Sequence, residues 1–195
     1  MRLDMANFTY VDAPFSFSFA STRTGEVLLD TSNQAFIFQD KFIQVDMKLP
    51  SGKIYGFGER AASFDLGYGA WSMWSQGVDA EQDIGQGGKQ LASMHPFCLV
   101  KSSSDEFFGI FFRSANAQSP IVSYYNNTNI LSYITTGGNL DINFFFRGSA
   151  KDVIRSYQQF IGKPPLPPFW ALGWHASSNA WKSLDDVQTI VGKYE

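Results

Sequence analysis

Residues Lys163-Pro164-Pro165-Leu166-Pro167-Pro168 are followed at once by Phe169-Trp170-Ala171-Leu172-Gly173-Trp174-His175. Each proline fixes φ and removes a backbone donor, so neither a helix nor a central strand continues through the run. The apolar, aromatic stretch after it reads as a buried strand. A polar loop and an amphipathic helix follow, so the chain crosses a stiff linker and opens a β–loop–α unit. One strand and one helix cannot bury their apolar faces alone. The expectation is therefore that the sequence stops where a second domain begins.

Upstream, from position 15 to about 146, short apolar runs alternate with turn residues. Phe15-Ser16-Phe17-Ser18-Phe19 has the period of two that a half-buried strand requires. The runs 35–38 and 42–47 flank Gln39-Asp40-Lys41, and 96–100 and 107–112 flank a polar loop, both as hairpins do. Further runs at 121–125, 130–134 and 140–146 are separated by Asn- and Gly-rich turns. Many short, regularly spaced strands with little helix predict a mainly β chain, an antiparallel β-sandwich.

Two helices are predicted. Ser149 caps a helix over 150–161 with Val153, Ile154, Tyr157, Phe160 and Ile161 on one face, stopped by Gly162 and Pro164. Ser183 with Asp186 forms a capping-box pattern ahead of Val187, Ile190, Val191 and Tyr194. The expected organisation is a sandwich over 1–148, a linker helix and proline segment over 149–168, and the β–α unit over 169–195.

Composition narrows the function classes. A net charge of −3 with no Lys/Arg cluster argues against nucleic acid, which needs a basic footprint. No apolar run approaches the roughly 20 residues that span a bilayer, and no signal peptide is visible. Cys98 is the single cysteine, so no internal disulfide forms, and two distant histidines with one cysteine lack metal-ligand spacing. Neither a metal nor a cofactor is expected. Asn7-Phe8-Thr9 and Asn126-Asn127-Thr128 match the N-glycosylation pattern, which leans toward the secretory route without establishing it. The 19 phenylalanines fit a β core, or stacking platforms for sugar rings or bases.

Between 61 and 94 the strand pattern fails, and residues 64–88 are rich in Gly, aromatics and acids. Long irregular loops in compact domains are uncommon and often functional. Aromatic faces beside Asp, Gln and Ser are what a carbohydrate site needs, flat apolar surface for C–H faces and acceptors for hydroxyls. A plain excursion of the chain has equal standing on composition.

Four ordered passages carry a resemblance: Tyr55-Gly56-Phe57-Gly58-Glu59-Arg60, Met73-Trp74 leading to Asp79-Ala80, His95-Pro96-Phe97, and Pro167-Pro168-Phe169-Trp170-Ala171-Leu172-Gly173-Trp174. Singly each is weak; in this order they cover nearly the whole chain and resemble glycoside hydrolase family 31, of the α-glucosidase and maltase-glucoamylase type. The resemblance implies a mutarotase-like sandwich followed by the first strand and helix of a catalytic (β/α)8 barrel. It also implies retaining cleavage of α-linked glucosides by two carboxyl groups about 5–5.5 Å apart. In the family both lie on later barrel strands, so no catalytic residue is assigned here. The remainder of a barrel, or a partner chain, would complete the unit.

Asp79 is the leading substrate contact, because the similar family loop reaches over the barrel mouth; the match needs a small insertion at Gly77-Val78. Trp74 supplies an aromatic face in the same loop. His175 falls at the C-terminal end of the inferred first barrel strand, where barrel active sites gather, with a packing role as its alternative. Glu59 reads as a buried structural partner for Arg or backbone, His95 as a satisfied structural histidine, and Asp65, Glu81 and Asp83 as surface acids. Two departures stand out. Ser178 occupies the place of a family Arg, and the family's first sandwich strands are missing before Asn7. The competing readings are a non-catalytic carbohydrate-binding module and a structural remnant whose tail helix a partner covers.

Overall fold

The computed structural model describes residues 5–75 and 90–194. The chain divides into two compact units, Met1–Ile161 and Gly162–Glu195.

The described part of the first unit holds twelve strands: β1 Ala6–Asp12, β2 Phe15–Ser21, β3 Val27–Asp30, β4 Phe36–Gln39, β5 Phe42–Leu49, β6 Ile54–Gly56, β7 Gly69–Ala70, β8 Phe97–Lys101, β9 Phe107–Phe112, β10 Gln118–Tyr125, β11 Thr128–Thr135 and β12 Ile142–Gly148. One sheet runs β1-β2-β3-β5-β11-β10-β7, with β4 also on β5, and the other runs β12-β9-β8-β6. Every pairing is antiparallel. This is the sandwich the alternation predicted.

β5 shows why the sheets face as they do. Ile43, Val45, Met47 and Leu49 are buried, while Phe42, Gln44, Asp46 and Lys48 point the other way and are partly exposed. A one-residue slip would exchange these faces, so burial fixes the register. Opposite them lie Ile54, Cys98, Val100, Phe108, Ile110 and Phe112 of the second sheet. Tyr133 and Phe112 stack across the gap at 4.0 Å and 5°. Phe19 meets Phe144 and Phe146, each at 4.8 Å, and closes the other end.

β9 is apolar on both faces because both are covered. Phe108, Ile110 and Phe112 face the core, and helix α1 (Ala150–Ile161) lies on the outer side. Val153 is fully buried there, and Tyr157 stacks on Phe97 at 4.0 Å and 13°. Ser149 caps α1, its Oγ accepting from Asp152 N and donating to Asp152 Oδ2. The helix assigned to the linker from sequence therefore packs with the sandwich, and the division falls after Ile161.

The pattern also begins earlier than position 15. β1 pairs with β2 along its full length, from Ala6↔Ser21 to Asp12↔Phe15. It is an edge strand with one half-solvated face, so its apolar residues are diluted by Asn7, Thr9 and Asp12.

In the second unit, α2 (Leu184–Val191) starts at the predicted capping box. Ser183 Oγ accepts from Asp186 N, and Ser183 N donates back to the Asp186 carboxylate. Residues 169–175 do not form the expected strand. Phe169–Leu172 is a 3₁₀ turn, closed by Ala171 N on Pro168 O and Gly173 N on Trp170 O. Phe169 is 91% exposed, so the run is not buried either. A strand must hand its N–H and C=O groups to a neighbour, and the described residues of this unit offer none. The backbone satisfies itself locally by i→i+3 bonds instead.

Candidate functional site

The segment that ends at Trp74 is built as an edge of the larger sheet. Gly69 and Ala70 pair with Val122 and Ile121. Trp71 N then donates to Pro120 O at 2.8 Å, and Met73 exchanges two bonds with Gln118, at 2.7 and 2.9 Å. Aromatic and glycine residues hid this strand in the sequence. Only Met73 turns fully inward.

Two side chains then take over the work of a ladder. Gln90, which is buried, accepts from Trp74 N with Oε1 at 2.8 Å and donates to Trp74 O with Nε2 at 2.7 Å. Arg60 donates through Nε to Phe57 O at 2.7 Å, and its guanidinium also bonds Ser72 O. The Arg60 guanidinium lies over the Trp71 ring, 5.7 Å from its centroid. Burial lowers the Arg60 pKa from its ordinary value. The backbone is thus held at Trp74 by a neutral amide and at Ser72 by a cation. The indole beyond it is 46% exposed.

Trp74 borders a concavity of about 230 Å³ with Lys41, Phe42, Gln118, Ser119 and Thr136. Ser119 Oγ is already bonded to Ser72 Oγ at 2.8 Å, and Thr136 Oγ1 reaches Ala117 O at 3.4 Å. The exposed ring and surrounding hydroxyls can stack a sugar face and bond its hydroxyl groups.

The other sequence-selected residues fall as follows. Asp79, with Glu81 and Asp83, lies outside the described residues. His175 belongs to the second unit, where its ring stands edge-on to Trp170 at 6.0 Å and 72°; Trp74 belongs to the first. Glu59 is exposed rather than buried, a correction with a simple cause. The residue lies in a loop open to solvent, and among the described residues its carboxylate accepts from the backbone N–H of Ser93 at 3.2 Å. Asp65 pairs with Lys53 at 2.5 Å.

His95 is likewise exposed. Its main chain donates to Gly58 O at 2.7 Å. Its side chain borders a second concavity of about 690 Å³ with Arg113, Asp141 and Tyr157. Among the described residues no group of three His, Cys, Asp or Glu could hold a metal ion. No described helix is long and apolar enough to cross a membrane. Sequence reasoning passed over Arg60 and Gln90. Arg60 stood in view directly after the Gly58-Glu59 motif, whereas nothing near Gln90 marks it.

Residues 6–118 match the family model of the glycosyl hydrolase 31 N-terminal galactose mutarotase-like domain. The chain is 31% identical over 182 residues to human intestinal sucrase-isomaltase, an alignment covering 91% of this chain and 10% of that protein. It is 28% identical to the α-glucosidase of Mucor javanicus, over 97% of this chain and 21% of that protein. The chain thus spans about a tenth to a fifth of the length of these relatives. A family 31 dextranase from Flavobacterium johnsoniae, solved with glucose, superposes with a TM-score of 0.79 at 21% identity, covering 98% of this chain and 23% of that chain. At that identity the likeness speaks for the fold.

Proposed function

Because this chain belongs to the glycosyl hydrolase 31 N-terminal galactose mutarotase-like domain family, we propose that it is the N-terminal portion of a retaining α-glucosidase-like glycoside hydrolase acting on α-linked glucosides. The observation that carries this reading is the match over residues 6–118, continued by relatives whose alignments extend over 91–97% of the chain. The sandwich would present Trp74 and Asp79 toward the sugar, the first by its ring and the second by its carboxylate. His175 would act from the end of the run 169–175, the proposed first barrel strand. That run gains its ladder only beside further barrel strands, which accounts for its apolar side chains. The nucleophile and the acid are not among these residues.

The test compares the 195-residue chain with the full polypeptide that contains it, on maltose and isomaltose. Glucose should be released by the full polypeptide alone, initially as the α-anomer by NMR, since retention proceeds through two inversions. Turnover by the isolated chain, or a β-anomer product from the full polypeptide, would refute the assignment.

A further inference from the structure

We propose a second sugar-binding surface on the sandwich, away from Trp74, formed by Tyr68, Tyr124, Asn127 and Asn129 and suited to an α-glucan chain. β10 alternates cleanly, with Gln118, Pro120 and Val122 buried, and Tyr124 continues the same face. At Tyr124 the cover ends, so a core-facing aromatic emerges 56% exposed. Asn129 lies directly opposite it on β11. Tyr68, immediately before β7, is 58% exposed and brings its ring to 6.1 Å from Tyr124, tilted by 35°.

The pair is held in place. Tyr68 Oη donates to Asn129 Oδ1 at 2.9 Å, and Tyr124 Oη donates to Asn127 Oδ1 at 3.3 Å. Gly52 supplies the seat: a Cβ there would lie 2.9 Å from Tyr68 Cε1 and Oη and 3.0 Å from Asn129 Oδ1. Each amide carbonyl accepts from a tyrosine hydroxyl, and among the described residues the amide nitrogens of Asn127 and Asn129 have no hydrogen-bond acceptor, so both are donors open to a ligand.

Two inclined aromatic faces edged by amide donors and phenol acceptors match a polyhydroxylated ring. Its C–H face lies on the aromatic, and its hydroxyls meet the rim. A tilt between neighbouring rings suits a ligand whose successive units turn, as α-linked glucose units do. The α-linkage rests on the function proposed above; the sugar platform itself rests on this geometry.

The experiment is a titration of the full 195-residue chain with maltoheptaose, an isomalto-oligosaccharide and cellohexaose, followed through backbone amide shifts of residues 122–131. Saturable shifts are expected with the α-linked sugars. Tyr124→Ala and Tyr68→Ala should each weaken them about tenfold, the loss of one well-packed aromatic contact. Tyr124→Phe, which keeps the ring, should retain most affinity, and Tyr10→Ala on β1 should change nothing. Both tyrosines are more than half exposed, so the variants should fold, as far-UV CD will report. Shifts elsewhere with these amides silent overturn the platform and leave the proposed function standing. Shifts here with cellohexaose alone uphold the platform, overturn its α-glucan assignment and count against that function. No shifts with any sugar overturn the platform.

Discussion

The contact between α1 and the outer face of the smaller sheet turns on Gly109, and Gly109→Ala probes it sharply. A Cβ at this position would sit 2.7 Å from Val153 Cγ1, 2.8 Å from Phe97 Cε2 and 3.0 Å from Phe97 Cζ. Neither neighbour retreats easily: Val153 is fully buried, and the Phe97 ring is sandwiched against Tyr157 at 4.0 Å. Overpacking of this kind costs about 1–3 kcal/mol. Against it stands a gain of roughly 0.4–1 kcal/mol from a stiffer unfolded chain. The steric term wins, leaving a net loss of about 1–2 kcal/mol, or roughly 2–8 °C in Tm for a unit of this size. Val153→Ala alone removes two buried methyl groups and should cost about 1.5–2 kcal/mol, including the void it leaves. In the double variant the new methyl occupies space that Val153 vacated. The two costs should then fall short of additivity by about 1 kcal/mol, with Phe97 preventing full rescue. Urea unfolding followed by near-UV CD measures all three. Additivity within about 0.4 kcal/mol, or a Gly109→Ala protein as stable as the parent, would show that the helix does not bear on this glycine.

Glu106 should give the first unit part of its acid sensitivity. Burial pushes its carboxyl upward, but hydrogen bonds from Ser21, Arg23 and Thr24 and the Arg23 charge outweigh that and hold it below the ordinary value. A folded pKa below the unfolded one contributes stability above the unfolded value of about 4.3, lost as pH falls through the folded pKa. Glu106→Gln should therefore flatten the fall of the urea midpoint between about pH 5 and 3, and an unchanged slope would refute the role. Glu26 and Asp30 are also held low, so some slope remains. Cys98 is fully buried in the core, and burial pushes its thiol pKa strongly up. It should resist a thiol reagent at pH 8 until urea unfolds the sandwich, and rapid labelling of native protein would contradict the packing described.

Strands with one wet face and one dry face were legible in sequence because their side chains alternate, as in β5. The two helices were legible for a related reason, Ser149 and Ser183 being caps that act on residues three positions away. What escaped notice had another partner to satisfy it. β1 is an edge strand whose pairing with β2 does not depend on a strong apolar alternation. The stretch 69–73 pairs with β10 although glycine and tryptophan dominate it. The run 169–175 failed in the opposite direction. It has the composition of a buried strand, yet composition cannot supply the neighbouring backbone that makes a strand, and the described unit turns it into a 3₁₀ bend.

The same distinction governs the candidate site. An aromatic in a loop is readable from the chain, and Trp74 was. The groups that fix its position were not readable, because their role is defined across space. Gln90 reaches Trp74 from sixteen residues away and imitates a ladder with one side chain. Arg60 spans twelve residues to Ser72 while lying over Trp71. Tyr68 and Asn129 meet across sixty-one. Motifs near one another in sequence thus located the segment, whereas bonds between distant residues decide which aromatic faces are held at the surface. Trp74 is braced through its main chain by Gln90, and Tyr68 is braced through its hydroxyl by Asn129. The fold therefore braces the two aromatics by separate bonds at the two ends of one segment, 68–74, whose backbone between them is paired with β10.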